Sequence, residues 1–86
     1  MDTARVDGNA AAGELSAIFA FDVTVARTTC AGCRDTRPLA ELHVYLRAAG
    51  TVLRCAGCGA VQVRVVRAPE RAWVDLRGVE VLDVTL

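Results

Sequence analysis

Four cysteines stand in two pairs of one pattern, Cys30-Ala31-Gly32-Cys33 and Cys55-Ala56-Gly57-Cys58, with residues 34–54 between them. Two residues between cysteines let a tight turn aim both thiolates at one ion, and Zn²⁺ takes four such ligands tetrahedrally at about 2.3 Å. Gly32, Gly57 and Gly59 suit the turn, because glycine tolerates positive φ and lets backbone N–H groups approach the sulfurs. Arg34 stands where the second pair has Gly59, so the two halves differ in sequence, and its charge is placed to offset part of the site's negative charge. The interval between the pairs lies just beyond the usual range of a four-Cys zinc signature, and two strands with a turn fill it. Cys30, Cys33, Cys55 and Cys58 are therefore expected to bind one structural Zn²⁺. Iron, in a rubredoxin-like site, is the weaker candidate, since the aromatic core of such a protein is missing. A dithiol redox role is the other alternative, although both pairs fall at strand ends rather than opening a helix.

Nothing else in the chain builds a catalytic site. Four thiolates leave no open coordination position for a catalytic zinc. Ser16 has no base to activate it, and His43, the one histidine, reads as a strand-surface residue. Glu41, Glu70, Asp75 and Glu80 form no pair and read as solvated charges. The chain is thus expected to be a non-enzymatic module that binds a protein partner or a second copy of itself. Nucleic acid is the alternative partner. Tyr45 shares its strand phase with His43 and Arg47, while Arg64 alternates against Val63 and Val65. Tyr45, Arg47 and Arg64 are therefore a candidate binding face, able to grip phosphate or an acidic surface. Against it stands a plain solvent face, on which these arginines pair with Glu41, Glu70 and Asp75. Arg54 shares the phase of Val52, so alternation alone does not assign it to that face. Trp73 is expected to pack in the core, where an indole buries a large area.

The elements that must position these residues are short. Leu15, Ile18 and Phe19 fall on one face of a helix over Ala10–Phe21, which Gly13 weakens. Phe21, Val23 and Val25 then alternate as a strand leading towards Cys30, and Asp35 to Pro38 reads as a turn. Leu42, Val44 and Leu46 alternate as the next strand, Ala48 to Gly50 reverse the chain, and Thr51 to Arg54 run into Cys55. Val61, Val63 and Val65 mark the clearest strand, ended by Pro69. Ala72–Leu76 and Val79–Leu86 complete the set. The expected fold is small and mainly β: a zinc ribbon of antiparallel strands and two CxxC knuckles, with a short N-terminal helix. Residues 1–9 read as a flexible start and 10–86 as one domain.

Composition sets the limits of this reading. With 86 residues, 53% of them hydrophobic but only one Trp, one Tyr and two Phe, the core must be a thin one of Val, Leu and Ala. Such a core needs a staple. The net charge is zero, yet nine of the ten arginines lie within 27–77, against Asp35, Glu41, Glu70 and Asp75. The middle is basic and the ends acidic. All basic residues are Arg and none is Lys, the bias of a GC-rich genome. No apolar run approaches the ~18 residues of a membrane span, and no basic leader precedes Ala17–Phe21. A cytoplasmic protein with reduced thiols and no membrane partner is expected. A mean hydropathy of +0.35 suggests apolar surface for a partner, at Val79–Leu86 or on the Leu15, Ile18 and Phe19 face.

Several stretches also carry a resemblance: Asp7-Gly8-Asn9-Ala10, Phe19-Ala20-Phe21-Asp22-Val23-Thr24, Cys30-Ala31-Gly32-Cys33, Pro38-Leu39-Ala40-Glu41-Leu42, Arg54-Cys55-Ala56-Gly57-Cys58-Gly59 and Trp73-Val74-Asp75-Leu76-Arg77-Gly78. Across them the chain resembles a family of short, uncharacterised zinc-ribbon proteins, a domain of unknown function, from high-GC Gram-positive bacteria. The resemblance implies a zinc ribbon and supplies no activity.

Overall fold

A computed structural model of the chain describes residues 5–47 and 50–86, and the side chains of all of these except 5–7, 9 and 47. The described strands are β1 (Arg5–Asp7), β2 (Arg27–Cys30), β3 (Thr36–Pro38), β4 (His43–Arg47), β5 (Gly50–Arg54), β6 (Val61–Ala68), β7 (Arg71–Asp75) and β8 (Val79–Asp83). One helix, α1 (Ala12–Ser16), accompanies them. The strands form a five-stranded sheet in the order β1-β4-β5-β6-β7 and a three-stranded sheet in the order β3-β2-β8. Every pairing is antiparallel. The fold is thus small and mainly β, with a short helix.

The alternation of apolar residues decides which side of the larger sheet is buried. Val44 on β4, Leu53 on β5, and Val63 and Val65 on β6 turn to one side and are almost fully buried. Leu15 of α1, Val23, Ala26, Leu39 and Leu42 close over them in one cluster. Thr51, also inward, donates its hydroxyl hydrogen to a carboxylate oxygen of Glu14 at 3.1 Å, tying β5 to α1. Burial of polar Thr51 is tolerable because its hydroxyl has a partner.

Four expectations are corrected. The helix over Ala10–Phe21 contracts to α1, after a 3₁₀ turn at Gly8–Ala11. So few residues cannot sustain a helix alone, and burial of Leu15 is what fixes it. Ile18 and Phe19 still pack against the core, from the irregular chain that follows. Next, Val23–Val25 is a 3₁₀ turn, not a strand. Asp22 causes it: its carboxylate accepts from the Thr24 backbone N–H at 3.1 Å and from the Thr24 hydroxyl at 2.6 Å, a local bond that competes with the extended form. Val23 is buried and Val25 is 70% exposed, so their shared strand phase is illusory. Thr36–Pro38, expected as a turn, is strand β3, and its Pro is tolerated because β3 is an edge strand. Finally, Trp73 is not core but 53% exposed. Val74, opposite Val65, takes the inward place on β7 and leaves Trp73, opposite Val66, on the outer face. The expected reversal at Ala48 to Gly50 falls partly on residues 48–49, outside the described residues; Gly50 opens β5.

Candidate metal centre

Each cysteine pair caps a hairpin, one in each sheet. The β2–β3 hairpin carries Cys30 and Cys33 at its tip, and the β5–β6 hairpin carries Cys55 and Cys58. Three backbone hydrogen bonds build the first knuckle. Gly32 N–H donates to Cys30 Sγ at 3.3 Å, Arg34 N–H to the Cys30 carbonyl at 2.8 Å, and Cys30 N–H to the Asp35 carbonyl at 2.9 Å. The second repeats them at the same offsets. Gly57 N–H donates to Cys55 Sγ at 3.3 Å, Gly59 N–H to the Cys55 carbonyl at 2.9 Å, and Cys55 N–H to the Ala60 carbonyl at 2.8 Å. The residue after the second cysteine is left-handed in both, with φ of 66° at Arg34 and 82° at Gly59. The two halves, different in sequence, are therefore one turn. The Arg34 charge is spent elsewhere: its Nε lies 3.1 Å from Glu80 of β8.

The knuckles meet sulfur to sulfur. Cys30 Sγ is 3.8 Å from Cys58 Sγ, and Cys33 Sγ is 3.7 Å from Cys55 Sγ. All four sulfurs lie within 4.8 Å of one another. Four thiolates at about 2.3 Å from a tetrahedral ion would have sulfur–sulfur edges of about 3.8 Å, so the donor set fits such an ion. The four are free cysteines, and these separations are far above the ~2.05 Å of a disulfide. Each knuckle supplies one buried sulfur residue, Cys30 or Cys55, and one exposed, Cys33 or Cys58.

The thiols differ in acidity. Burial opposes ionisation of Cys55, but hydrogen bonds from the Cys58 and Gly57 backbone outweigh it and bring the thiol down to about 7. At Cys33 the backbone N–H of Asp35 favours the thiolate, but desolvation and hydrogen bonding among the neighbouring sulfurs dominate and push it up to about 12. Cys58 is also raised: the Ala60 backbone works against the shift, while desolvation and the sulfurs of Cys30 and Cys55 produce it. One thiolate forms readily in this cluster and repels the next; a divalent cation removes that conflict.

Gly78 locks the two knuckles together, a role its place in a plain turn conceals. Its carbonyl accepts from Ala31 N–H of the first knuckle at 2.9 Å. Its Cα faces the start of β6 so closely that an added Cβ would collide with the Val61 carbonyl. His43, half-buried opposite Arg54 on β5, lies outside the sulfur cluster.

The candidate binding face is assembled in part. Tyr45, Val52, Arg64 and Asp75 stand in one cross-strand row from β4 to β7, on the side of the sheet away from the core. Arg47 pairs with Gly50 in the backbone register, and its side chain lies outside the described residues. Arg54, which alternation could not assign, joins this side because Val52 itself faces outward, the inward places on β5 belonging to Thr51 and Leu53. Its guanidinium Cζ sits 5.8 Å from the Tyr45 ring centre, and its Nη1 donates to the Gly59 carbonyl at 2.9 Å. Arg71 stands likewise 5.7 Å from the ring centre of Trp73. Of the carboxylates expected to neutralise the face, Asp75 is engaged by Arg77 at 2.7 Å and Glu41 by Arg37 at 3.9 Å, while Glu70 forms no ion pair among the described residues. No described helix is long and apolar enough to cross a membrane.

No curated protein and no solved structure matches the chain. A family model does match it, over residues 2–86. The chain, with its two hairpin-borne cysteine pairs, belongs to DUF6510, a family of unknown function.

Proposed function

We propose that the protein is a zinc ribbon: a non-enzymatic binding module in which Cys30, Cys33, Cys55 and Cys58 hold one structural Zn²⁺ and the partner docks on the surface of the sheets. The observation that carries this reading is the pair of sulfur–sulfur edges, 3.8 and 3.7 Å, each joining one hairpin to the other. Thiolate sets of this shape take Zn²⁺ or iron. Zinc is favoured because the buried core of the described residues consists of Ala, Leu, Val and Cys without an aromatic ring. With four protein ligands the ion has no position for substrate or water, so its work is to hold the fold. The arginine-only basic set suits a bacterial host with a GC-rich genome, and four free thiols suit the reducing cytoplasm.

Elemental analysis of the protein purified without added metal is the test. One zinc per chain is expected. A zinc content near zero, a red iron-loaded protein, or Cys30–Cys33 or Cys55–Cys58 disulfides that open and close reversibly under a thiol buffer would overturn the proposal.

A further inference from the structure

The outer face of the five-stranded sheet combines two features that a solvent face does not need. The first is aromatic. The only Trp and the only Tyr of the chain are both on this face, Tyr45 on β4 and Trp73 on β7, and each has a guanidinium within 6 Å of its ring centre, at 5.8 and 5.7 Å. Between them the rows hold Val52 and Arg64 in one and Gly50 and Val66 in the other. The second is charge. Arg54, Arg64 and Arg71 are exposed, and none forms an ion pair with a carboxylate of the described residues, whereas Arg34, Arg37 and Arg77 all do. The one described carboxylate in the Tyr45 row, that of Asp75, is held by Arg77, which keeps it well ionised, down to about 2.

We infer that this face binds single-stranded nucleic acid, with Tyr45 and Trp73 stacking bases and Arg54, Arg64 and Arg71 contacting phosphates. The inference rests on the reading of the protein as a binding module and names the chemistry of its partner. Unpaired guanidinium groups match phosphate oxygens in geometry as well as in sign. Aromatic rings on a sheet face offer π surfaces to unstacked bases, which a duplex hides and a single strand presents. An acidic peptide would satisfy the arginines and leave the rings unused. Arg54 is the best anchored of the three, because the Gly59 carbonyl of the second knuckle holds its Nη1.

Fluorescence anisotropy with the zinc-loaded protein tests this, using labelled oligo(dT), oligo(rU), a duplex of equal length and an oligoglutamate peptide. Single strands should bind, duplex and peptide much less. Three phosphate contacts on a single strand give a log–log salt slope of about −2, or roughly a 16-fold loss from 50 to 200 mM salt. Trp73→Ala should weaken binding roughly 5- to 100-fold, the usual range for one stacked base. Arg64→Gln with Arg71→Gln should flatten the salt slope by about 1.4. Unequal binding of the two single strands would assign the partner as DNA or RNA. Zinc content and circular dichroism are measured for each variant, so loss of the metal reads as failure of the zinc ribbon and not of this site. Absence of single-strand binding at low salt with one zinc retained would overturn the inference. So would binding that survives all three substitutions, or a preference for duplex or for oligoglutamate.

Discussion

The two knuckles reach one backbone conformation by different means. After Cys58 the left-handed residue is Gly59, which enters that region without penalty, and no atom lies within 4 Å of where its Cβ would be. After Cys33 the same conformation is imposed on Arg34, at a cost of roughly 1–2 kcal/mol for a residue with a Cβ. The three hydrogen bonds of the turn offset that cost, and the Arg34–Glu80 contact across to β8 returns part of it. A turn closed by its own backbone and a ligand tolerates a poor residue, and a glycine there marks an easier solution rather than a necessity. The knuckles also differ in address. One belongs to the three-stranded sheet and the other to the five-stranded sheet, so an ion held between them would join the two halves of the fold.

That equivalence can be broken most severely at the sulfurs. Chelation of the metal should unfold the chain, since structural zinc contributes an apparent ~10–16 kcal/mol in small zinc domains. Cys30→Ser and Cys55→Ser should do equal damage, read by circular dichroism. If one of them leaves the fold intact, the knuckles are not equal partners. Metal affinity should also fall steeply with acid. Binding displaces protons from thiols such as Cys33, held up to about 12, and acid re-protonates even Cys55, brought down to about 7. A chelator competition between pH 8 and 6 should show monotonic weakening, and a flat profile would contradict it. Gly78→Ala ranks next. Its methyl must displace the Val61 carbonyl beside one knuckle while loosening the bond to Ala31 in the other, for roughly 2–3 kcal/mol in a chemical denaturation curve.

Gly59→Ala sharpens the comparison itself. It imposes on the second knuckle what the first already bears, and should cost about 1 kcal/mol, with zinc content unchanged. The smallest effect is expected at Asp75, a half-buried carboxylate that hydrogen bonds from Arg77 hold below the usual carboxylate range. Its contribution is present above the ordinary carboxylate value of 3.8 and is lost as pH falls towards about 2. Asp75→Asn should therefore lower stability only slightly at pH 7, because water screens the Arg77 pair, and flatten the acid limb of an unfolding curve.

The clustering of the four cysteines is legible in the sequence, because a two-residue spacing between cysteines constrains geometry regardless of what surrounds it. β4, β5 and β6 were legible for a related reason: one side of each is buried, so Val44, Leu53, Val63 and Val65 print the period of the sheet on the chain. Where a local bond competes with that period, alternation misleads. Asp22 folds Val23–Val25 into a turn through Thr24, and nothing in the spacing of the valines announces it. The size of Trp73 does not decide its burial, because the phase of β7 is set by Val74 meeting Val65. The role of Gly78 is not legible in the sequence, since its neighbours, Ala31 and Val61, come from distant parts of the chain.

The exposure of Trp73 gives the protein an unusual optical character. Its sole indole, 53% open to water, already emits from a wet environment in the folded state, so unfolding changes its surroundings little and a melt followed by tryptophan emission will understate the transition. A base stacked on the same ring would quench it directly. The single tryptophan is thus a poor reporter of folding and a sensitive one of whatever lands on the sheet.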